Sequence, residues 1–311
     1  MIRPTALKSG ANIGVISPSY WITEDVLKNT AEIFTSRNFH LTFGKSIKAK
    51  EGPFAGPPEL RAEDLNNMFA DPNIDAIFCA RGGYGANRVL PLLNYDLIKE
   101  NPKIFIGYSD VTAYLTSITQ KTEIITFHGP MLVSYKHGFI EYNFDQMMKV
   151  LTNTENIVIN PPAEFDPHIL KKGTAKGPLW GGNLSLVMNR LGTDGQINTT
   201  GCILFLEDLD EYLYSFERML VHLQAAGVFN NINGLIIGEL INMKDQDVSF
   251  GKSTDEIIME ICGNMDIPIV TNFPCGHGKY QTTLPISLPI ELCADETVTL
   301  KFLESAVTNK K

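Results

Sequence analysis

The stretch IFIGYSDVTAYL, residues 104–115, decides the reading of the N-terminal half. Ile104 to Gly107 is an apolar run of strand length that stops at a glycine, and from Asp110 a helical apolar pattern begins. Ser109 stands where the strand hands over to the helix. Ser and Asp both suit a helix N-cap. A sharp strand-to-helix turn also holds a hydroxyl clear of the sheet, as a nucleophile requires. Both readings are open on these residues alone.

Working outward, NIGVIS (12–17), IDAIFCA (74–80), KIFIGYS (103–109) and EIITFHG (123–129) read as strands. EDVLKNTAEIFTSR (24–37), NRVLPLLN (87–94, broken by Pro91) and DVTAYLTSITQ (110–120) read as helices between them. This alternation predicts a parallel sheet flanked by helices, the flavodoxin/Rossmann-like form of an α/β fold. Ligands of such sheets bind outside the carboxyl ends of the strands. The loops SPSY (17–20), RGGYGANR (81–88) and YSD (108–110) all follow strands, so they are expected to converge on one edge. From Leu151 to Lys176 the chain is rich in proline and poor in apolar residues, which predicts a linker. The expected organisation is an N-terminal α/β domain over 1–150, a linker over 151–176 and a β-rich C-terminal domain over 177–311. Within the last, Phe216, Met219, Leu220 and Leu223 keep helical spacing and Gly227 closes the helix.

The chain has 311 residues, 44% of them hydrophobic, and a formal net charge of −9 without a basic run. A globular protein with a substantial core is expected, and nucleic acid or anionic membrane surfaces are not expected partners. The N-terminal sequence lacks the pattern of a secretory signal, and no stretch has the roughly 20 apolar residues of a membrane helix. The five cysteines are scattered without a CxxC pair, which fits reduced thiols and a cytoplasmic setting.

RGGYGANR matches neither the GxGxxG fingerprint nor the P-loop. It reads as a tight turn, or as a loop whose glycines let backbone N–H groups approach a ligand oxygen as in an oxyanion hole. Glu207, Asp208, Asp210 and Glu211 lie between a strand and a helix, where capping accounts for most of them. Glu207 differs in following an apolar run directly, at the mouth of a strand, where a carboxylate can orient a histidine. Of the histidines, His277 is set between glycines in PCGHG (274–278), a loop able to fix an imidazole. A Cys275–His277 dyad is a competing use, as is a structural role for His128 after its strand. No histidine stands at metal-ligand spacing from the acids, so neither metal nor cofactor is expected.

Ser109, Glu207 and His277 in that order resemble the LD-carboxypeptidase family of serine peptidases, whose relatives include the microcin C immunity protein. The resemblance runs collinearly through SPS (17–19), FAGPPELRAEDLNNMF (54–69), ARGGYGANRVLPLLNYD (80–96), NPKIFIGYSDVTAYL (101–115), HGPML (128–132), GPLWGGNLSLV (177–187), LFLEDLDE (204–211) and GHG (276–278). It implies a parallel α/β N-terminal domain, a β-rich C-terminal domain, and a triad of Ser109 nucleophile, His277 base and Glu207 orienting acid. The oxyanion hole would come from the N–H groups of Gly83 and Asp110. Arg81, Trp180 and Asn183 would contact substrate. The chain has GYSD where ordinary α/β hydrolases have GxSxG. The implied substrate is a cytoplasmic murein tetrapeptide, cleaved between a diamino acid and terminal D-alanine during wall recycling. The immunity branch instead cleaves a peptidyl-nucleotide; the ARGGYGANR form is nearer the recycling branch. A homodimer is the common assembly of the family. A non-catalytic peptide-binding homologue and a metallopeptidase are the readings from other classes; the intact triad opposes the first and the absence of HExxH spacing the second.

Overall fold

Fourteen strands organise the described residues, Met1–Asn309, in a computed structural model of the chain. They are β1 (Asn12–Ile16), β2 (His40–Phe43), β3 (Ala76–Cys79), β4 (Ile104–Gly107), β5 (Phe127–His128), β6 (Val158–Ile159) and β7 (His168–Lys171), followed by β8 (Gly173–Asn183) and β9 (Ile203–Leu209). The remainder are β10 (Gly234–Ile241), β11 (Ile269–Phe273), β12 (Leu284–Pro285), β13 (Pro289–Ala294) and β14 (Val298–Phe302). Lys310 and Lys311, the last residues of the expected C-terminal domain, lie outside the described residues.

The chain divides into two units. The first holds Met1–Glu155, Thr283–Ile286 and the segment from Ser305 onward; the second holds Asn156–Thr282 and Ser287–Glu304. In the first, a sheet of order β12-β5-β4-β3-β1-β2 is parallel from β5 to β2. β3 and β4 are buried along their whole length, which is why they read as continuous apolar runs. The order reverses between β1 and β3, the switch point at which such sheets bind ligands. β2 was not expected: HLTF is a four-residue edge strand, exposed for most of its length, too short for Leu41 and Phe43 to stand out as a period. The helix Pro58–Ala70 was also not expected, because Arg61 and Asp64 stand among its buried positions and dilute the apolar period.

In the second unit the sheet order is β6-β14-β13-β8-β9-β10-β11-β7. Its centre, β8 to β11, is parallel, and its flanks are antiparallel. The helix Leu213–Ala225 buries Phe216, Met219, Leu220 and Leu223 against Leu204, Leu206, Leu235 and Ile237. Each such side chain removed from water contributes roughly 1.5–3 kcal/mol. This unit is therefore β-rich with an α/β centre.

The structure corrects the expected boundaries in two places. The supposed linker 151–176 carries the two sheet-edge strands β6 and β7, whose strand character is hidden by their edge positions and the prolines between them, and the start of β8. The tail is shared. β12 pairs with β5 through Leu284↔His128 and Pro285↔Phe127, Pro285 being tolerable on an edge strand. Thr308 exchanges backbone hydrogen bonds with Pro4 and Ala6, so the chain end also belongs to the first unit.

Candidate active site

In the first unit the three loops expected at the strand ends meet. Ser109 follows β4 with a φ of +65°, a left-handed conformation costly for a residue with a Cβ. Its 3₁₀ turn, Ser109–Val111, runs into the helix Thr112–Thr122. Ser109 does not cap that helix with its side chain. The N-cap reading fails. Gly82 lies against Ser109: a Cβ on Gly82 would stand 2.9 Å from Ser109 Cβ and 3.2 Å from Ser109 Oγ. Gly83, φ +118°, packs instead on Tyr20. The Gly82 carbonyl accepts from the Tyr20 N–H at 3.1 Å. Across the planar trans peptide the Gly83 N–H therefore points the opposite way, away from Tyr20.

Asp110 was singled out for its backbone N–H, which lies in the first turn, where amides lack intrahelical acceptors. Its side chain does more than expected. Oδ2 accepts from Ser19 Oγ at 2.5 Å and from the Ala86 N–H at 2.9 Å, tying the SPSY and RGGYGANR loops together. Burial pushes this carboxyl up, against the downward pull of Ser19, Ala86 and Arg61. Arg61, which the sequence reading passed over, is 1% exposed and donates to the carbonyls of Pro18 at 2.9 Å and Gly85 at 3.3 Å. Arg81 is half-buried, with its guanidinium 4.3 Å from the Tyr20 ring centroid and a 3.4 Å bond to the Trp21 carbonyl.

In the second unit Glu207 sits near the end of β9, fully buried, and its Oε2 is 2.7 Å from His277 Nδ1. It is no helix cap. Gly276, φ +98°, passes so close that a Cβ there would collide with the Glu207 carboxylate. Burial alone lowers the His277 pKa, but the Glu207 charge and hydrogen bond, with Asp208 and Asp210 behind them, outweigh it and raise the value. The imidazole is thus held through Nδ1. Asp208 takes the capping role, accepting from the Ser185 N–H and hydroxyl and from Asn183 Nδ2 at 3.0 Å. Asn183 is buried as the N-cap of the helix Leu184–Asn189 and also donates to the Glu207 carbonyl. Its amide positions the strand end that carries Glu207. Trp180 packs on the helical side of the sheet, with Leu204 and Leu206, a setting that serves the core.

Cys275 is buried, and burial, reinforced by the charges of Glu207 and Glu239, holds its thiol well above the ordinary range. That is the opposite of an activated nucleophile, so the Cys275–His277 dyad is disfavoured. Among the described residues no three His, Cys, Asp or Glu side chains gather as a metal site, and no helix is long and apolar enough to cross a membrane.

Comparison with known proteins gives the same outline. The LD-carboxypeptidase N-terminal domain model matches residues 13–129 and the LD-carboxypeptidase C-terminal domain model residues 176–292. A probable murein peptide carboxypeptidase of Bacillus subtilis is 32% identical over 91% of this chain and 89% of its own length. A microcin self-immunity protein of Escherichia coli is 28% identical over 85% of this chain and 84% of its own. The crystal structure of a protein from Bacillus anthracis, named as similar to that immunity protein, superposes with a TM-score of 0.89 at 29% identity, covering 98% of this chain and all of its own.

Proposed function

The chain belongs to the LD-carboxypeptidase family, and we propose on that footing that it releases the terminal D-alanine of murein tetrapeptides through an acyl-enzyme on Ser109. The observation that carries the reading is the buried Glu207–His277 pair at 2.7 Å, which has no other evident purpose at a strand mouth. Glu207 accepts the Nδ1 proton of His277, so that Nε2 is the nitrogen that serves as the base. Ser109 Oγ attacks the carbonyl of the diamino acid and gives its proton to Nε2. The N–H groups of Gly83 and Asp110 take the oxyanion, and the imidazolium returns the proton to the leaving D-alanine nitrogen. Water, deprotonated by the same Nε2, then cleaves the ester. In this reading Arg81 holds a substrate carboxylate, Asn183 supports the strand end that carries Glu207 while Trp180 serves the core behind it, and the setting is cytoplasmic wall recycling by a homodimer. No step calls for a metal.

The test is incubation with a tetrapeptide ending in D-alanine and with its L-alanine epimer, followed by mass analysis. Release from the D-epimer alone, insensitive to EDTA and abolished by Ser109→Ala, is expected. Loss on chelation with recovery on zinc would end the serine reading. The similarity to the microcin self-immunity protein favours a second reading, cleavage of a peptidyl-nucleotide. Preference for a peptidyl-adenylate over both tetrapeptides would establish it.

A further inference from the structure

A second carboxylate of the C-terminal unit has no role in the triad. Glu239 lies in β10, whose register shifts against β9 between Ile237 and Leu240 and against β11 between Ile236 and Gly238. A bulge of this kind re-aims a side chain, and such bulges gather beside active sites. Here it turns Glu239 onto Gly278, the residue after His277, where any side chain would collide with the Glu239 carboxylate. Gly238, just before, leaves room for Glu207 and Cys275. Two acid-bearing strand ends thus flank the histidine loop.

Glu239 Oε2 is buried and has no hydrogen-bond partner among the described residues. The cations nearest in sequence are engaged elsewhere: Lys244 with Asp210 and Lys279 with Tyr280. Burial without a partner pushes the Glu239 carboxyl up to about 7. An orphaned carboxylate oxygen costs stability and serves no neighbour. Of the neighbouring acids, Glu207 is paired with His277, Asp208 is taken up by Ser185 and Asn183, and Asp210 by Lys244, which leaves Glu239 as the carboxylate with no opposing cation among the described residues. That combination suits a positively charged visitor.

We propose that Glu239 is the receptor for an alkylammonium group of the substrate, and so a specificity residue beside the general base. The inference rests on the proposed reaction, in which a diamino acid supplies the ammonium next to the scissile bond. Its carboxylate would fix that side chain as Ser109 attacks, and a peptide without the charge would bind less well.

The experiment compares two tetrapeptides ending in D-alanine, one with lysine and one with Nε-acetyl-lysine before it. Both are measured by turnover with the active enzyme and by calorimetric binding to the inactive Ser109→Ala protein. The lysyl peptide is expected to be favoured by about tenfold or more in both measurements, the order of a charged hydrogen bond. In Glu239→Gln the preference should fall below about twofold. The melting temperature of Glu239→Gln at about pH 8 should equal or exceed that of the parent, since an unpaired charge has gone. A preference unchanged in Glu239→Gln, or absent from the parent, overturns the proposal while D-alanine release upholds the reaction. No release from either peptide overturns the reaction instead, and equal binding of the two by the Ser109→Ala protein then overturns the proposal as well.

Discussion

Replacing Glu207 with Gln separates an orienting acid from a merely buried one. The amide can lie in two ways. With its oxygen toward His277 Nδ1 the correct tautomer survives, but the NH₂ then takes the place of Oε1, which is buried with no partner among the described residues. Burying those unpaired donors costs about 1–3 kcal/mol. With the NH₂ toward Nδ1 nothing new is orphaned, but Nδ1 must accept, the ring proton moves to Nε2, and the base is lost. The second arrangement is therefore favoured by roughly 5- to 150-fold. Loss of the charge-assisted bond weakens the imidazolium by about 1–2 kcal/mol more, another 5- to 30-fold. Together these give a fall in kcat of roughly 25- to 4,500-fold, measured as D-alanine released from the tetrapeptide. The acid limb of the pH–rate profile should also move down, because Glu207 is the chief group raising the His277 pKa. A variant within about threefold of the parent, with an unmoved acid limb, would refute the triad assignment of Glu207.

Other substitutions and conditions probe the same scaffold. In Gly82→Ala the new Cβ would stand 2.9 Å from Ser109 Cβ and 3.1 Å from the Tyr108 carbonyl oxygen, so the nucleophile must shift; kcat should drop by about 10²-fold, and full activity would contradict the placement of Ser109. The His277 pKa is raised on folding, so its stabilising contribution is fully present below about pH 6.5 and fades as pH rises through the folded value. Activity needs the neutral ring and should rise through that same window, so melting curves and rate profiles across it should trend in opposite directions. Arg61→Met removes a buried donor from the Pro18 carbonyl, which keeps the Tyr114 hydroxyl, and from the Gly85 carbonyl, which keeps the Arg88 N–H, and should lower unfolding stability by about 1–2 kcal/mol in urea titrations; no measurable loss would show that the loops hold without it.

The N-terminal sheet was legible because β3 and β4 are buried throughout and announce themselves as apolar runs. β2 and β6 are edges, and the same logic makes them silent. The helix Pro58–Ala70 escaped for a more instructive reason. Its buried positions include Arg61, which reaches the SPSY and RGGYGANR loops, and Asp64, whose oxygens accept from the Lys45 and Ser46 N–H groups. A helix that gives part of its buried face to loops dilutes the apolar period, here that of Ala62, Leu65, Met68 and Phe69, by which helices are read. The motif FAGPPELRAEDLNNMF carried the resemblance, and the structure gives it a physical task.

The acidic run of β9 shows where residue types end and geometry begins. EDLDE could be four caps, or three and one catalytic acid, and composition cannot choose. Strand alternation can. Leu204 and Leu206 pack into the helical side of the sheet. Glu207 therefore faces the other side and meets His277, while Asp208 returns to the helical side and caps the helix beginning at Leu184. Two adjacent carboxylates thus receive different work from a period of two. Glu239 ends a similar apolar run, GLIIGE, yet alternation alone would have misplaced it, because the bulge in β10 adds an offset that the sequence does not display. Gly238 is the trace it leaves: a residue there would strike Cys275 and Glu207, so a bare Cα is needed for the strand to turn. A glycine set between a buried strand and an acid was the signal available for Glu239, as Gly107 was for Ser109.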